Sequence, residues 1–175
     1  MNKTIRFIPN ILSLFRLGLA GFFPWSHERL WIWLVIGGGL SDFLDGWIAR
    51  RWNVTTWQGG LLDAVADKLF VLLALTTFAL AGKFSVWWIP AVIARDLVVA
   101  FIAAIAAGYR AWDSFQEMDA RWSGKFATAG QFLLLVVVSL VPESIFPVLL
   151  VSVLLSLIAA IDYGIQFCRA LRLRT

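Results

Sequence analysis

The chain has 175 residues, of which 61% are hydrophobic, and its mean hydropathy is +0.82. That apolar share exceeds the roughly 45–50% of an ordinary soluble domain, so the composition indicates a membrane protein. The formal charge of +4 does not indicate nucleic-acid binding, because the basic residues are scattered between apolar stretches. The single cysteine, Cys168, excludes an internal disulfide framework and a cysteine-based zinc or iron–sulfur site.

Apolar stretches of about 20 residues, the length that crosses a bilayer, recur along the chain. They predict an all-α integral membrane protein, one domain over residues 1–175, with about six transmembrane helices. The expected spans are 8–24, 30–51, 60–82, 86–108, 123–142 and 145–168. The N-terminus has a basic start and an apolar run like a signal peptide. However, Arg16 interrupts the run and no A-x-A-like cleavage site follows, so we expect the segment to stay in the mature protein.

The lysines and arginines are distributed unequally between the two sets of helix ends. Positive residues are preferentially retained on the cytoplasmic side of a membrane. The opposite loops carry only Arg29 and Lys83, which predicts cytoplasmic termini. With no evident transit peptide, a bacterial or archaeal plasma (inner) membrane is the expected location. The basic residues assigned to the cytoplasmic ends are Lys3, Arg6, Arg50, Arg51, Arg110, Arg121, Lys125, Arg169, Arg172 and Arg174.

The run Gly37-Gly38-Gly39 lies inside the second predicted helix. Residues without side-chain bulk let a neighbouring backbone come close. The run therefore predicts the close approach of a neighbouring backbone at this point, with a simple kink as the alternative.

Two polar segments interrupt the apolar pattern: SDFLDGWIARR at the end of the second helix and GGLLDAVADK at the start of the third. They carry Asp42, Asp45, Asp63 and Asp67. A carboxylate at membrane depth costs about 2.5–3.5 kcal/mol on insertion scales, so such residues normally face a cavity and have partners. Aspartates three or four residues apart share one helix face. Two such faces opposite each other would form a cup of four carboxylates.

Four neighbouring carboxylates repel one another unless cations compensate them. Only Arg50, Arg51 and Lys68 lie nearby in sequence as organic cations. A purely oxygen ligand set suits Mg²⁺, Mn²⁺ or Ca²⁺, and the lack of histidine and cysteine in the set makes zinc a poor fit. Because Mg²⁺ commonly combines carboxylates with substrate phosphates, the pattern predicts a divalent-metal site for a phosphorylated substrate.

A strip of small residues follows the first aspartate pair. Gly46 and Ala49 leave room for a ligand to approach the backbone, and Arg50 supplies a fork suited to phosphate oxygens. For each small residue alone, helix packing is an equally good explanation.

The string DFLDGWIARRWNVTTWQGGLLDAVAD, from Asp42 to Asp67, matches D-x2-D-G-x2-A-R-x8-G-x3-D-x3-D at every fixed position. That pattern is the signature of the CDP-alcohol phosphatidyltransferases, which the chain therefore resembles. IPNILSLFR resembles the family's N-terminal segment. IARD from Ile93 and SGKFATAGQF from Ser123 resemble segments of its phosphatidylglycerophosphate synthases. Ala64 departs from the proline that many synthases have there, which leaves the subfamily open.

The resemblance implies a six-helix membrane fold with a polar cavity open to the cytoplasm. It implies metal-dependent transfer of a phosphatidyl group from CDP-diacylglycerol to an alcohol, with release of CMP. Family members are often homodimers, which the residues of this chain neither require nor exclude. By position, the metal (Mg²⁺ or Mn²⁺) ligands would be Asp42, Asp45, Asp63 and Asp67, with Asp67 also the general base; the CDP-lipid site would include Gly46, Ala49, Arg50 and Gly59.

The acceptor alcohol depends on weaker signals. An anionic acceptor such as glycerol 3-phosphate needs cations, and Arg95 in the fourth helix and Lys125 at the start of the fifth are the candidates. The alternative for Arg95 is an ion pair with Asp96 or Asp162. Arg16 is interpreted either as a substrate contact or as a residue that snorkels toward the headgroups.

The first hypothesis is therefore synthesis of phosphatidylglycerophosphate from glycerol 3-phosphate. Within the same chemistry, the acceptor is alternatively phosphatidylglycerol, which gives cardiolipin, or an inositol phosphate. A divalent-cation transporter is the hypothesis from a different class, because intramembrane carboxylates often mark ion pathways. Against it, no broken-helix pair recurs in two related halves. A purely structural role would leave the cost of four aspartates unexplained.

Overall fold

The computed structural model describes residues 8–52, 57–108 and 122–172, and every regular element in these ranges is a helix. This confirms the all-helical class and the order of the helices. The predicted fourth helix is the exception, since it is broken into two pieces. The helices are α1 (Ile8–Phe22), α2 (Glu28–Trp52), α3 (Trp57–Leu80), α4 (Ile89–Val92), α5 (Ala94–Gly108), α6 (Trp122–Leu140) and α7 (Ile145–Arg172), with short 3₁₀ helices at Phe23–Trp25, Val86–Trp88 and Pro142–Ser144.

Among the described helices, two are long and apolar enough to cross a membrane, Trp122–Leu140 and Pro142–Arg169. A third span is possible if the bent pair Val86–Val92 and Ala94–Ile105 counts as one. The other helices fall short because of length or charge. At about 1.5 Å per residue, the 15 residues of α1 extend only about 22 Å, and α2 and α3 contain the four aspartates. Six crossings stay a prediction.

The chain forms two compact units. Unit 1 comprises Met1–Lys83 with Leu135–Pro142, and unit 2 comprises Phe84–Leu134 with Glu143–Thr175. Each has its own buried apolar residues. The single domain predicted over residues 1–175 stays a prediction.

In unit 1, α1 packs along both α2 and α3, whereas α2 and α3 contact each other much less. The core beside α1 is aromatic. Phe23 lies edge-on to Phe70 and Phe78, with ring centroids 5.9 and 5.5 Å apart, and Trp31 lies 4.9 Å from Phe78. Edge-to-face packing of buried rings adds to the stabilisation that comes from area burial. Helix α1 therefore holds together the two helices that carry the aspartates.

The glycine run of α2 makes a close contact, but with a side chain and not with the neighbouring backbone that the sequence predicted. A Cβ atom on Gly38 would lie 2.5 Å from Cζ of Phe70, closer than real Cβ atoms come to other atoms. Phe70 is fully buried and packs against Phe23, so its ring has little room to move. The contact is a phenyl ring against the glycine backbone of α2.

In unit 2, the chain bends by 58° between Val86–Val92 and Ala94–Ile105. A break in a helix leaves backbone groups without their usual partners, and buried groups must find others. At this break, the Arg95 N–H donates to the Ser156 hydroxyl at 3.1 Å, and the Val92 carbonyl accepts from the Gln131 amide at 3.0 Å. Side chains of α6 and α7 thus stabilise the bend.

We predict that Gly38→Ala lowers the melting temperature of the protein in detergent. The added methyl overlaps the Phe70 ring, and overpacking of this kind costs about 1–3 kcal/mol. Gly18→Ala is the matched control, because nothing lies within 4 Å of the added Cβ. Alanine is also the better helix former there, by about 1 kcal/mol. Equal melting temperatures for the two variants would contradict the close contact.

Candidate active site

Three of the predicted site residues meet in unit 1. Asp42 and Asp45 lie on one face of α2, and Asp63 lies near the start of α3. Each offers a carboxylate oxygen within 4.8 Å of the others. The side chains of Asp42 and Asp63 are 38% and 40% exposed, whereas that of Asp45 is 4% exposed. Asp45 therefore forms the buried part of the group, and Asp42 and Asp63 lie on its open side.

Arg16 of α1 contacts all three carboxylates. Its side chain is fully buried. Its Nη1 lies 3.2 Å from Asp42 Oδ1 and 2.9 Å from Asp63 Oδ1, and its Nη2 donates to Asp45 Oδ2 at 2.5 Å. Its Nε donates to the Ser41 hydroxyl at 3.1 Å, which fixes the plane of the guanidinium. One cation thus joins carboxylates from two helices.

Sequence reasoning missed this cation. It considered basic residues close in sequence, whereas Arg16 lies 29 residues from Asp45 and 47 from Asp63. Neither interpretation of Arg16 anticipated the contact, because the guanidinium is paired inside unit 1. The available signal was an arginine inside an apolar run, since such a residue needs a buried partner.

Asp67 lies one turn along α3 from Asp63 and is not part of the close group of three. Its Oδ2 lies 3.0 Å from Nζ of Lys68. Its Oδ1 is buried, and among the described residues no donor reaches it. The expected cup of four carboxylates is thus a group of three plus one neighbouring carboxylate with an unsatisfied oxygen.

The predicted CDP-lipid residues occupy the same two helices. Gly46 follows Asp45 on α2, Gly59 lies near the start of α3, and both are half-buried. Ala49 and Arg50 lie on α2, but their side chains are outside the described residues. The contribution of this strip to lipid binding stays a prediction.

The predicted acceptor residues lie in unit 2. Arg95 is buried, and its Nε and Nη2 both donate to Asp96. Its Nη1 donates to the Gly124 carbonyl at 2.6 Å and to the Thr128 hydroxyl at 2.8 Å. At least four of its five N–H donors are therefore used within the protein. Of the two interpretations of Arg95, the ion pair with Asp96 is present.

Lys125 has a different environment. It is exposed, and its Nζ lies 4.8 Å from the centre of the Trp122 ring, a cation–π distance. Asp162, the other carboxylate considered for Arg95, accepts a hydrogen bond from Ser123 at 2.7 Å. Lys125 is therefore better placed than Arg95 to meet an anion from solution.

The acidic group fits a hard divalent cation. All of its candidate ligand atoms are carboxylate oxygens, which Mg²⁺ and Mn²⁺ prefer. The unsatisfied Oδ1 of Asp67 is a further oxygen that needs a partner. With the three carboxylates ionised, the single charge of Arg16 leaves a formal charge of −2, which one divalent cation would neutralise.

Comparison with known proteins agrees with the signature. Residues 6–161 match the CDP-alcohol phosphatidyltransferase family. The chain is 33% identical to the CDP-diacylglycerol–glycerol-3-phosphate 3-phosphatidyltransferase of Pectobacterium atrosepticum and 34% identical to that of Sodalis glossinidius, each over 79% of both chains. It is 34% identical to the Yersinia enterocolitica protein of the same name over 71% of both chains. The chain therefore belongs to the CDP-alcohol phosphatidyltransferase family and is a transferase.

Proposed function

We propose that the protein transfers a phosphatidyl group from CDP-diacylglycerol to glycerol 3-phosphate and releases CMP. The observation that carries the proposal is the convergence of Asp42, Asp45 and Asp63, the first three aspartates of the family signature, into one group. The choice of acceptor is supported by the relatives, which are named for glycerol 3-phosphate. Phosphatidylglycerol and inositol phosphate have no such support, and membership of a transferase family disfavours a cation transporter.

The metal site would be formed by the grouped carboxylates of Asp42, Asp45 and Asp63, with the carboxylate of Asp67 beside it. Mg²⁺ or Mn²⁺ bound there would neutralise the negative charge of the diphosphate and of the departing CMP. Asp45 would supply the buried ligand, while the more exposed Asp42 and Asp63 lie on the open side, where a diphosphate would approach.

Asp67 would accept the proton of the attacking alcohol. The hydroxyl oxygen forms a bond to the phosphorus that carries diacylglycerol, and the bond from that phosphorus to the CMP phosphate breaks. The bonding electrons leave with CMP, and the hydroxyl proton passes to Asp67 Oδ1. Lys68 pairs with the other oxygen, Oδ2, which supports Oδ1 as the atom that receives the proton.

We propose that the active site faces the cytoplasm of a bacterial cell, from the inner membrane. The excess of lysine and arginine at one set of helix ends supports this orientation. The two small molecules of the proposed reaction, the acceptor glycerol 3-phosphate and the product CMP, are polar and need access from water. The product would enter phospholipid biosynthesis.

The acceptor is tested by release of CMP from CDP-diacylglycerol in the presence of Mg²⁺ or Mn²⁺. We expect purified protein to release CMP with glycerol 3-phosphate and not with phosphatidylglycerol or an inositol phosphate. Release with one of the other acceptors would change the named product while retaining the chemistry. No release with any acceptor would contradict the proposed function.

We expect Asp67→Asn to lower kcat by about 100-fold or more, the usual contribution of a general base. Asparagine keeps the size of the side chain and loses the proton acceptor, so binding of CDP-diacylglycerol should be retained. Glu28→Gln is the control, because Glu28 is exposed and pairs only with Lys83 among the interactions described. Wild-type turnover in Asp67→Asn would remove Asp67 from the base role.

We expect Lys125→Gln to raise the KM for glycerol 3-phosphate by about 10-fold to 100-fold, since loss of one charge-assisted hydrogen bond costs about 1.5–3 kcal/mol. The kcat should change little. Arg169→Gln, which removes another exposed cation of unit 2, should leave this KM unchanged. Equal KM values for wild type and Lys125→Gln would show that other residues bind the acceptor phosphate.

A further inference from the structure

We propose that Arg16 is a built-in counter-charge of the metal site and competes with the divalent cation for the same three carboxylates. The inference rests on the proposed metal site. It assigns to α1, which lies outside the family signature, the control of how tightly the metal binds. Arg16 is a positioning residue in this account, because it acts through the aspartates.

The contacts of Arg16 are directed at the proposed ligands themselves. Asp42, Asp45 and Asp63 each place a carboxylate oxygen within 3.2 Å of its guanidinium. These are the same three residues whose oxygens lie close enough to share one ion. An arginine stays charged in proteins, so this positive charge is permanent. Any cation bound by the three carboxylates shares them with Arg16.

Burial makes this charge effective. Arg16 is fully enclosed, and water does not screen its interaction with Asp45, which is also buried. Two positive charges that share ligands repel each other, so Arg16 weakens metal binding. In the metal-free protein, the same charge offsets the repulsion between the carboxylates and keeps them together.

The packing of unit 1 explains why this residue is on α1. Helices α2 and α3 have few contacts with each other, and α1 packs against both. Arg16 draws Asp42 and Asp45 of α2 and Asp63 of α3 toward one point. The metal site would therefore stay assembled before the cation enters and after it leaves.

The competition is tested by comparing Arg16→Gln with wild type as metal-free and metal-loaded protein. Melting temperatures in detergent would be measured in EDTA and in Mn²⁺, and the dissociation constant for Mn²⁺ by electron paramagnetic resonance. We expect Arg16→Gln to melt at a lower temperature than wild type in EDTA. Mn²⁺ should raise the melting temperature of Arg16→Gln by more than it raises that of wild type. Its dissociation constant should fall about tenfold, within the usual range of coupling between two sites.

Two controls separate charge from structure. Arg16→Lys keeps the charge, so its affinity for Mn²⁺ should stay close to that of wild type. Lys83→Gln removes another paired cation of unit 1, whose partner Glu28 begins α2 about 20 Å along the helix from the aspartates. Lys83→Gln should therefore leave the effect of Mn²⁺ unchanged.

A charge-matched double variant covers the case in which Arg16→Gln is too unstable to purify. Arg16→Gln with Asp45→Asn removes one positive and one negative charge, so the formal charge of the group returns to −2. We expect the double variant to be recovered in better yield and to melt higher in EDTA than Arg16→Gln alone, as in a double-mutant cycle. No such rescue would contradict the counter-charge role.

The remaining outcomes distinguish this inference from the proposed function. Wild-type protein that does not respond to Mn²⁺ would overturn the metal site, and the inference with it. A wild type that responds, together with an equal response in Arg16→Gln, would overturn the competition alone and leave an ordinary structural ion pair. Weaker Mn²⁺ binding by Arg16→Gln would also overturn it, because Arg16 would then assist the metal.

Discussion

The architecture of unit 1 depends on one interaction, the contact of a buried guanidinium with three carboxylates. Asp42, Asp45 and Asp63 repel one another, and their helices have little direct contact. The ion pairs of Arg16 and the aromatic packing around Phe23 hold these helices together. Without a cation at this point, burial of Asp45 would be unfavourable, because an unpaired buried charge destabilises a fold by several kcal/mol.

Two arginines are buried among the residues that the structure describes, and they are used in different ways. Arg95 lies beside its carboxylate partner in sequence and also donates to a backbone carbonyl and a hydroxyl. Its charge is balanced locally, and its environment supports the bend of unit 2. Arg16 instead faces three carboxylates, which leaves negative charge uncompensated. Uncompensated charge in a partly open group is suited to ligand binding, whereas a satisfied network is suited to rigidity.

Much of this arrangement follows from local sequence patterns. The spacing of the aspartates predicted which of them share a helix face, and the glycine run marked a point of close approach, although a Phe70 ring and not a backbone occupies it. The role of Arg16 did not follow, because periodicity gives the face of a helix and not the helix that it meets. The bend near Ile93 was also missed, since the groups that satisfy it, on Ser156 and Gln131, are distant in sequence. The charged signature residues interrupt the apolar pattern of α2 and α3, and neither helix is among those long and apolar enough to cross a membrane.

The most direct test of this account is an experimental structure of the protein with Mn²⁺, with the ion located by its anomalous scattering. The account predicts a single strong peak within about 2.3 Å of carboxylate oxygens from Asp42, Asp45 and Asp63, with Arg16 still beside them. A peak bound by other residues, or no peak while Arg16 alone holds the three carboxylates, would contradict it.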